Sequence, residues 1–291
     1  MKTQGRESGG IEDCIRDSVR ELAAGMVPDV YRRFDAFLKA LAQCPQNEML
    51  LERDCDILVR DSSMPLYDDN LRPSCMTRCG EGWKMQGFHI MPGLPVDLPS
   101  LTHAFMDARI VDFYRLMDDF AQRAQAVIGS ALAKRTGLAR QWTVIGKVWR
   151  YRNTKASSGS GDTGQVFVPP HFDRSVFSIM LDSRLDFDGE SRHLCLGAPD
   201  DAIDIDAVAA RWDDDECYMP EPHHYPIVIA GLHARDTLGL APVPHSVLRM
   251  DPAQGDYRYS LLVFVVPRTG LQTRHRHMPT STARPAAHIA R

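Results

Sequence analysis

His171 and Asp173 stand two positions apart, and a second histidine, His245, lies far downstream in Pro244-His245-Ser246-Val247. Side chains alternate faces along a strand, so His171 and Asp173 can address one point while Phe172 turns away. Two neutral imidazoles and one anionic oxygen make a ligand set suited to ferrous iron, held on one face with the other left open. Alone, such a pair would read as a loop histidine beside a solvated carboxylate. The stretch after His245 changes that weighting. A turn over residues 251–256 leads into Arg258-Tyr259-Ser260 and an apolar strand, and Arg258 and Ser260 again share a face. An arginine fork with a hydroxyl beside it suits two-point recognition of a carboxylate. Standing by itself, Arg258 would read as a surface ion pair at a strand start.

These residues need elements to hold them. From 144 to the apolar run at 259–266 the texture is strand-like, with strands expected at 144–152, 166–168, 176–181, 227–230, 246–250 and 259–266. Residues 157–164 read as a flexible polar loop, and 200–216 as an acidic insertion with a short helix at 207–212. Many short strands with turns between them suggest a barrel or sandwich. Upstream the periodicity is helical. Ile15, Val19, Leu22 and Met26 line one face, Pro28 interrupts, and Phe34, Leu38 and Leu41 continue. Ser100 is a plausible cap for the clearest helix, whose stripe runs through Met106, Ile110, Phe113, Met117, Phe120, Ala124, Val127 and Ala131. Residues 54–93 read as short strands and loops. The expected organisation is one domain: a mainly helical part at 1–143, a β core at 144–267 and a basic tail at 268–291.

Composition narrows the function classes. The net charge of −4 argues against a nucleic-acid binder working through a broad basic face. No apolar run approaches the roughly 20 residues that span a bilayer, and the first residues lack the apolar core of a secretory signal. The 7 cysteines are odd in number and scattered, which favours reduced thiols and a cytoplasmic location over a disulfide framework. Cys75 and Cys79 lack the second pair that a zinc site would need.

His171-Phe172-Asp173, His245-Ser246-Val247 and Arg258-Tyr259-Ser260, in that order, resemble the iron(II)/2-oxoglutarate-dependent oxygenases of the isopenicillin N synthase-like group. The resemblance covers roughly 144–267. It implies an all-β core with flanking helices (α+β), folded as a double-stranded β-helix or jelly roll with the N-terminal helices packed on it. It implies iron on His171, Asp173 and His245, with Arg258 and Ser260 holding the distal carboxylate of 2-oxoglutarate. Dioxygen is then the oxidant, and C–H hydroxylation the default outcome, with desaturation or oxidative ring closure open to the same residues. Tyr151 sits where the group carries the tyrosine of an Asn-x-Tyr pattern and is a candidate co-substrate contact; the asparagine position is Trp149 here. The interval between Asp173 and His245 is longer than the group's and contains rival histidines at 193, 223, 224 and 233. Of these, His233 is the strongest.

For the substrate, Arg174 beside the triad aspartate and Arg150 and Arg152 on the 144–152 strand are candidate contacts to a carboxylate. They suggest a free amino acid or a small amino-acid-derived metabolite of specialised metabolism. Each has an ordinary ion-pair reading beside it. Alternatives are an iron oxidase of the same fold that needs no 2-oxoglutarate, a non-catalytic metal- or ligand-binding jelly roll, and a protein-modifying hydroxylase. The oligomeric state is not legible.

Overall fold

The chain alternates between two sheets that face each other. The structure, a computed structural model, describes residues 10–43, 52–54, 74–79, 85–92, 107–136, 142–152, 166–187, 189–190, 193–200, 205–210, 212, 217–248 and 256–267. Three short strands come first: β1 (Glu52–Asp54), β2 (Ser74–Cys79) and β3 (Met85–Ile90). The core strands follow as β4 (Trp142–Arg152), β5 (Val166–His171), β6 (Phe177–Leu185), β7 (Gly189–Glu190) and β8 (Leu194–Leu196). They end with β9 (Ile227–Ala230), β10 (His245–Leu248) and β11 (Tyr257–Pro267).

The large sheet runs β1-β2-β3-β4-β11-β6-β7, with β9 also paired to β6; the small sheet is β5-β10-β8. A further bridge, Leu196 to Tyr218, extends the small sheet. Along the chain, β4, β6, β9 and β11 of the large sheet thus interleave with β5, β8, the Tyr218 bridge and β10 of the small one. All core pairings are antiparallel. This is the double-stranded β-helix expected from the sequence, within an α+β architecture.

Two long helices cover the outer face of the large sheet. α1 (Ile11–Gln43) and α2 (Ala108–Thr136) bury Ile15, Val19, Val30, Phe34, Ile110, Phe113, Met117 and Phe120 completely. An aromatic cluster joins them to β3, with Phe37 and Phe113 at 4.6 Å between centroids and Phe88 and Phe113 at 5.0 Å. Pro28 does not interrupt α1, contrary to the sequence expectation. A proline within a helix costs about 3 kcal/mol. Burial of Met26, Val27, Val30, Tyr31 and Phe34 on the flanking turns offsets that, at roughly 1.5–3 kcal/mol per side chain. α2 is capped by Asp107, whose Oδ1 accepts from the Arg109 amide at 2.9 Å. Ser100, Met106, the 157–164 loop and the 268–291 tail lie outside the described residues.

Two short helices, α3 (Ile205–Ala210) and α4 (Leu232–Leu238), complete the elements used below. Strands β1 to β3 extend the large sheet from the N-terminal side, so this part contributes to the β core as well as to the helices. The expectation of reduced thiols is corrected at one pair: Cys195 and Cys217 are disulfide-bonded, joining β8 to the strand segment that bridges it. Residues 22 positions apart meet there because Leu196 and Tyr218 exchange backbone bonds at 2.9 Å, a proximity that spacing does not reveal.

Candidate metal centre and carboxylate pocket

Strand pairing brings the triad together. His171 is the last residue of β5 and His245 the first of β10, and they are direct register partners. Their rings stand 4.3 Å apart between centroids. Asp173 lies just past the end of β5, in the turn to β6, so it reaches the site from a bend and not by strand alternation. Its carboxylate sits 3.7 Å from His171 Nε2 through Oδ1 and 3.4 Å from His245 Nε2 through Oδ2. One ligand atom from each residue falls within 4.8 Å of the other two, a spacing that fits one metal ion.

The imidazoles are oriented for that task. His171 Nδ1 is 2.9 Å from the Pro169 carbonyl and His245 Nδ1 is 3.4 Å from the Val243 carbonyl. A carbonyl can only accept, so each Nδ1 carries the proton and donates it, which leaves both Nε2 atoms turned toward Asp173. The turn carrying Asp173 is clamped by the start of α4. The Leu232 amide donates to the Asp173 carbonyl at 2.8 Å, His233 to Ser175 at 3.0 Å, and Gly231 to Val176 at 3.0 Å. Gly231 packs so closely that a Cβ would lie 2.3 Å from the Ser175 carbonyl oxygen.

Electrostatics favour cation binding. Burial by itself would raise the Asp173 carboxyl, but His245, His171 and the Ser178 hydroxyl outweigh it and hold it well below the usual range. Burial and the neighbouring His245 push His171 down, to about 4, although 38% of its side chain stays open to solvent. Burial opposes the charged form of His245 as well, but Asp173 wins there and the net shift is upward. A metal ion would take over the part that this proton plays beside Asp173.

A second polar site lies along the same enclosed surface. Leu194 of the small sheet packs among Trp149, Tyr151, Met180, Ile229, Leu262 and Phe264 of the large one, which identifies the face the two sheets enclose. Ser178, the hydroxyl partner of Asp173, is on β6 opposite Phe264 of β11. Following the register away from the triad leads through Leu262 and Met180 to Ser260 opposite Ser183, then to Arg258 opposite Leu185 and Tyr151. Arg258 is 2% exposed and its guanidinium lies 3.8 Å from the Tyr151 ring centroid. Its Nε and Nη1 have no hydrogen-bond partner among the described residues. Burial pushes its pKa down, to about 10, so it remains a cation at neutral pH. A buried cation with unmade hydrogen bonds is costly unless an anion completes it. The residues here therefore fit a carboxylate ligand.

Of the arginines considered for the substrate, Arg150 and Arg152 are not brought to this face. Arg150 alternates to the outer side, pairing with Asp35 of α1 at 2.7 Å and with Gln86 at 2.5 Å. Arg152 shares that side and is exposed, while Arg174 is half-buried beside Asp173. Basic groups that do lie on the enclosed face, besides Arg258, include Lys147 and His89, direct partners on β4 and β3 and both buried. The Lys147 ammonium lies 4.0 Å from the Trp149 ring centroid. Strand alternation from Tyr151 would have found Lys147, because residues 147, 149 and 151 share a face.

The rival histidines take other positions. His233 is buried at the start of α4, with its carbonyl accepting from the Thr237 hydroxyl. His223 and His224 are exposed on a single 3-10 turn (Pro222–His224), where His224 meets the Tyr218 hydroxyl at 2.8 Å. His193 is buried and hydrogen-bonded to Ser183.

No protein-family model matches the sequence, and no curated protein matches it. Among solved structures, the chain is similar to the Arabidopsis thaliana dioxygenase for auxin oxidation, in its binary complex with 2-oxoglutarate, at a TM-score of 0.48 and 13% identity over 90% of each chain. The rice dioxygenase for auxin oxidation gives a TM-score of 0.47 and 18% identity over 88% of this chain and 79% of that one. A full-length Neurospora crassa protein in complex with alpha-KG gives 0.43 and 18% over 66% of this chain and 60% of that one. Likeness at this level assigns no activity to the chain.

Proposed function

We propose that the chain is an iron(II)/2-oxoglutarate-dependent oxygenase of the isopenicillin N synthase-like group. On this reading it oxidises an unactivated C–H bond of a small, amino-acid-derived metabolite, as a step of specialised metabolism. The observation that carries the reading is Arg258: a buried cation with unmade hydrogen bonds, on the enclosed face that also holds a His-Asp-His triad.

His171, Asp173 and His245 would hold the ferrous ion, and Arg258 and Ser260 the distal carboxylate of the 2-oxo acid. When bound, the metal and co-substrate couple oxidation of 2-oxoglutarate to succinate and carbon dioxide with transfer of one oxygen atom of dioxygen to the substrate. The protein's part is positioning. The carbonyls of Pro169 and Val243 fix the two imidazoles, Ser178 and the start of α4 fix Asp173, and Tyr151 supports the guanidinium through its ring face. Lys147 supplies positive potential on the enclosed face, which suits a carboxylate-bearing substrate. It takes the part expected of Arg150 and Arg152.

An iron oxidase that uses no 2-oxo acid would leave Arg258 buried without an anion, which weighs against that reading. The test is an anaerobic titration of metal-free protein with ferrous iron and then 2-oxoglutarate, following the visible charge-transfer absorption of the chelate. The band is expected in wild type, absent in His171→Ala and displaced to much higher co-substrate concentration in Arg258→Ala. Iron binding without a band would favour the oxidase, and failure to bind iron would remove the catalytic reading.

A further inference from the structure

Behind Ser260 lies a chain of buried polar groups that crosses from one sheet to the other. Ser260 Oγ is 3.2 Å from Ser183 Oγ, its register partner on β6. Ser183 Oγ is in turn 3.1 Å from His193 Nε2. His193 precedes β8 in the small sheet, where its carbonyl accepts from the Leu248 amide at 2.7 Å. All are sealed from solvent: His193 is 2% exposed, Ser183 3% and Ser260 1%. The side chain of His193 thus spans the enclosed space and ends on the hydroxyl that supports Ser260.

Proton counting gives the arrangement a direction. Ser183 has one proton and three polar neighbours: His193 Nε2, Ser260 Oγ and the Tyr259 carbonyl at 3.2 Å. If His193 Nε2 were an acceptor, it and the Tyr259 carbonyl would compete for that single proton, and Ser260 would have to turn its own proton back toward Ser183. If Nε2 carries hydrogen, His193 donates to Ser183, Ser183 donates to Ser260, and the Ser260 proton is released to point forward. Each hydroxyl then donates once and accepts once, with the Ser183 proton turned from the Tyr259 carbonyl to Ser260. A carboxylate held by Arg258, two residues along the same face, would accept that forward proton.

We propose that His193 is a positioning residue for the distal carboxylate of the 2-oxo acid, acting through Ser183 to make Ser260 a donor. The inference rests on the reading of Arg258 and Ser260 as the co-substrate pocket. It adds a histidine from the opposite sheet, and a hydroxyl on β6, to the machinery that selects a five-carbon dicarboxylate over a 2-oxo acid without the second carboxyl group.

The experiment measures dissociation constants of 2-oxoglutarate and of 2-oxopentanoate, which lacks the distal carboxylate, by the anaerobic charge-transfer titration. Wild type, His193→Leu, His193→Gln and Ser183→Ala are compared after iron loading, with thermal unfolding followed alongside. His193→Leu and Ser183→Ala are expected to weaken 2-oxoglutarate by about tenfold, the effect of one charge-assisted hydrogen bond, and to leave 2-oxopentanoate unchanged. His193→Gln, whose amide can donate, should recover most of the affinity. Ser183→Ala carries the test should His193→Leu fail to fold. Equal weakening of both acids, unchanged 2-oxoglutarate binding, or no recovery in His193→Gln overturns the inference while leaving the oxygenase reading intact. Absence of any 2-oxoglutarate signal in wild type overturns both.

Discussion

Gly231→Ala should damage the proposed metal centre without touching a candidate ligand. The added Cβ would lie 2.3 Å from the Ser175 carbonyl oxygen, 2.6 Å from Ser175 Oγ and 2.8 Å from the Asp173 carbonyl oxygen. Ordinary contact begins at 3.4 Å, so one backbone must retreat by 3.4 − 2.3, or about 1 Å. Neither side can yield at a side-chain tip, because two of the three obstacles are backbone. Retreat also stretches the Leu232-to-Asp173 and His233-to-Ser175 bonds, now 2.8 and 3.0 Å. Overpacking of this kind costs about 1–3 kcal/mol of stability. A shift of about 1 Å in the segment holding Asp173 can lower activity by about 100-fold, since catalytic geometry tolerates little displacement. Gly25→Ala is the matched control. Gly25 lies inside α1 with nothing within 4 Å of where the new methyl would stand, so the substitution should stabilise by about 1 kcal/mol through helix propensity. The assay is urea unfolding together with ferrous-iron affinity for both variants. A Gly231→Ala protein as stable as wild type, with unaltered iron affinity, would refute the argument that this glycine sets the position of Asp173.

Other expectations follow from the same geometry. Replacing Arg258 by Met should raise the 2-oxoglutarate dissociation constant by about 100-fold or more, from loss of a bidentate charge pair of roughly 3 kcal/mol, with iron affinity unchanged in a metal titration. Arg150→Ala should cost about 2 kcal/mol in urea unfolding, because its contacts with Asp35 and Gln86 are mostly buried, while co-substrate affinity stays as in wild type. Lys147→Met keeps the aliphatic stem and removes the charge. It should spare both iron loading and the 2-oxoglutarate titration while lowering substrate-stimulated succinate formation, once a substrate screen identifies a turnover assay. Gly87→Ala would place a methyl 2.5 Å from the Trp149 ring, so a shift in tryptophan fluorescence and a loss of about 1–3 kcal/mol are expected.

Much of the candidate metal site was legible because its signals are local. His171 and Asp173 are close in sequence, and His245 opens an apolar strand that must be buried. Arg258 and Ser260 show their shared face by parity alone. Parity also contained Lys147, which shares it with Tyr151, yet charge drew attention to Arg150 and Arg152 on the other side of the same strand. His193 read as a rival ligand because its partners, Ser183 and Ser260, are distant in sequence and neutral. The short strands β1 to β3 lack a clean alternation, so their place in the large sheet depends on pairing with β4 and not on their own pattern. The continuity of α1 through Pro28 and the Cys195–Cys217 bond are tertiary outcomes: one follows from burial on both flanking turns, the other from strand segments meeting across a long loop.

The position of β11 has a consequence for biosynthesis. This strand, the last among the described elements, lies between β4 and β6 in the middle of the large sheet and carries Arg258 and Ser260. Until it emerges from the ribosome, β4 and β6 each present an open edge over a largely apolar surface, and that exposure persists throughout synthesis of the chain between β6 and β11. Such edges invite pairing with other chains. The nascent protein must therefore wait for β11 with His171, Asp173 and His245 already made but the sheet behind them unclosed. Slowed translation across residues 186–256 should lengthen that vulnerable interval, and soluble yield in the host should track it.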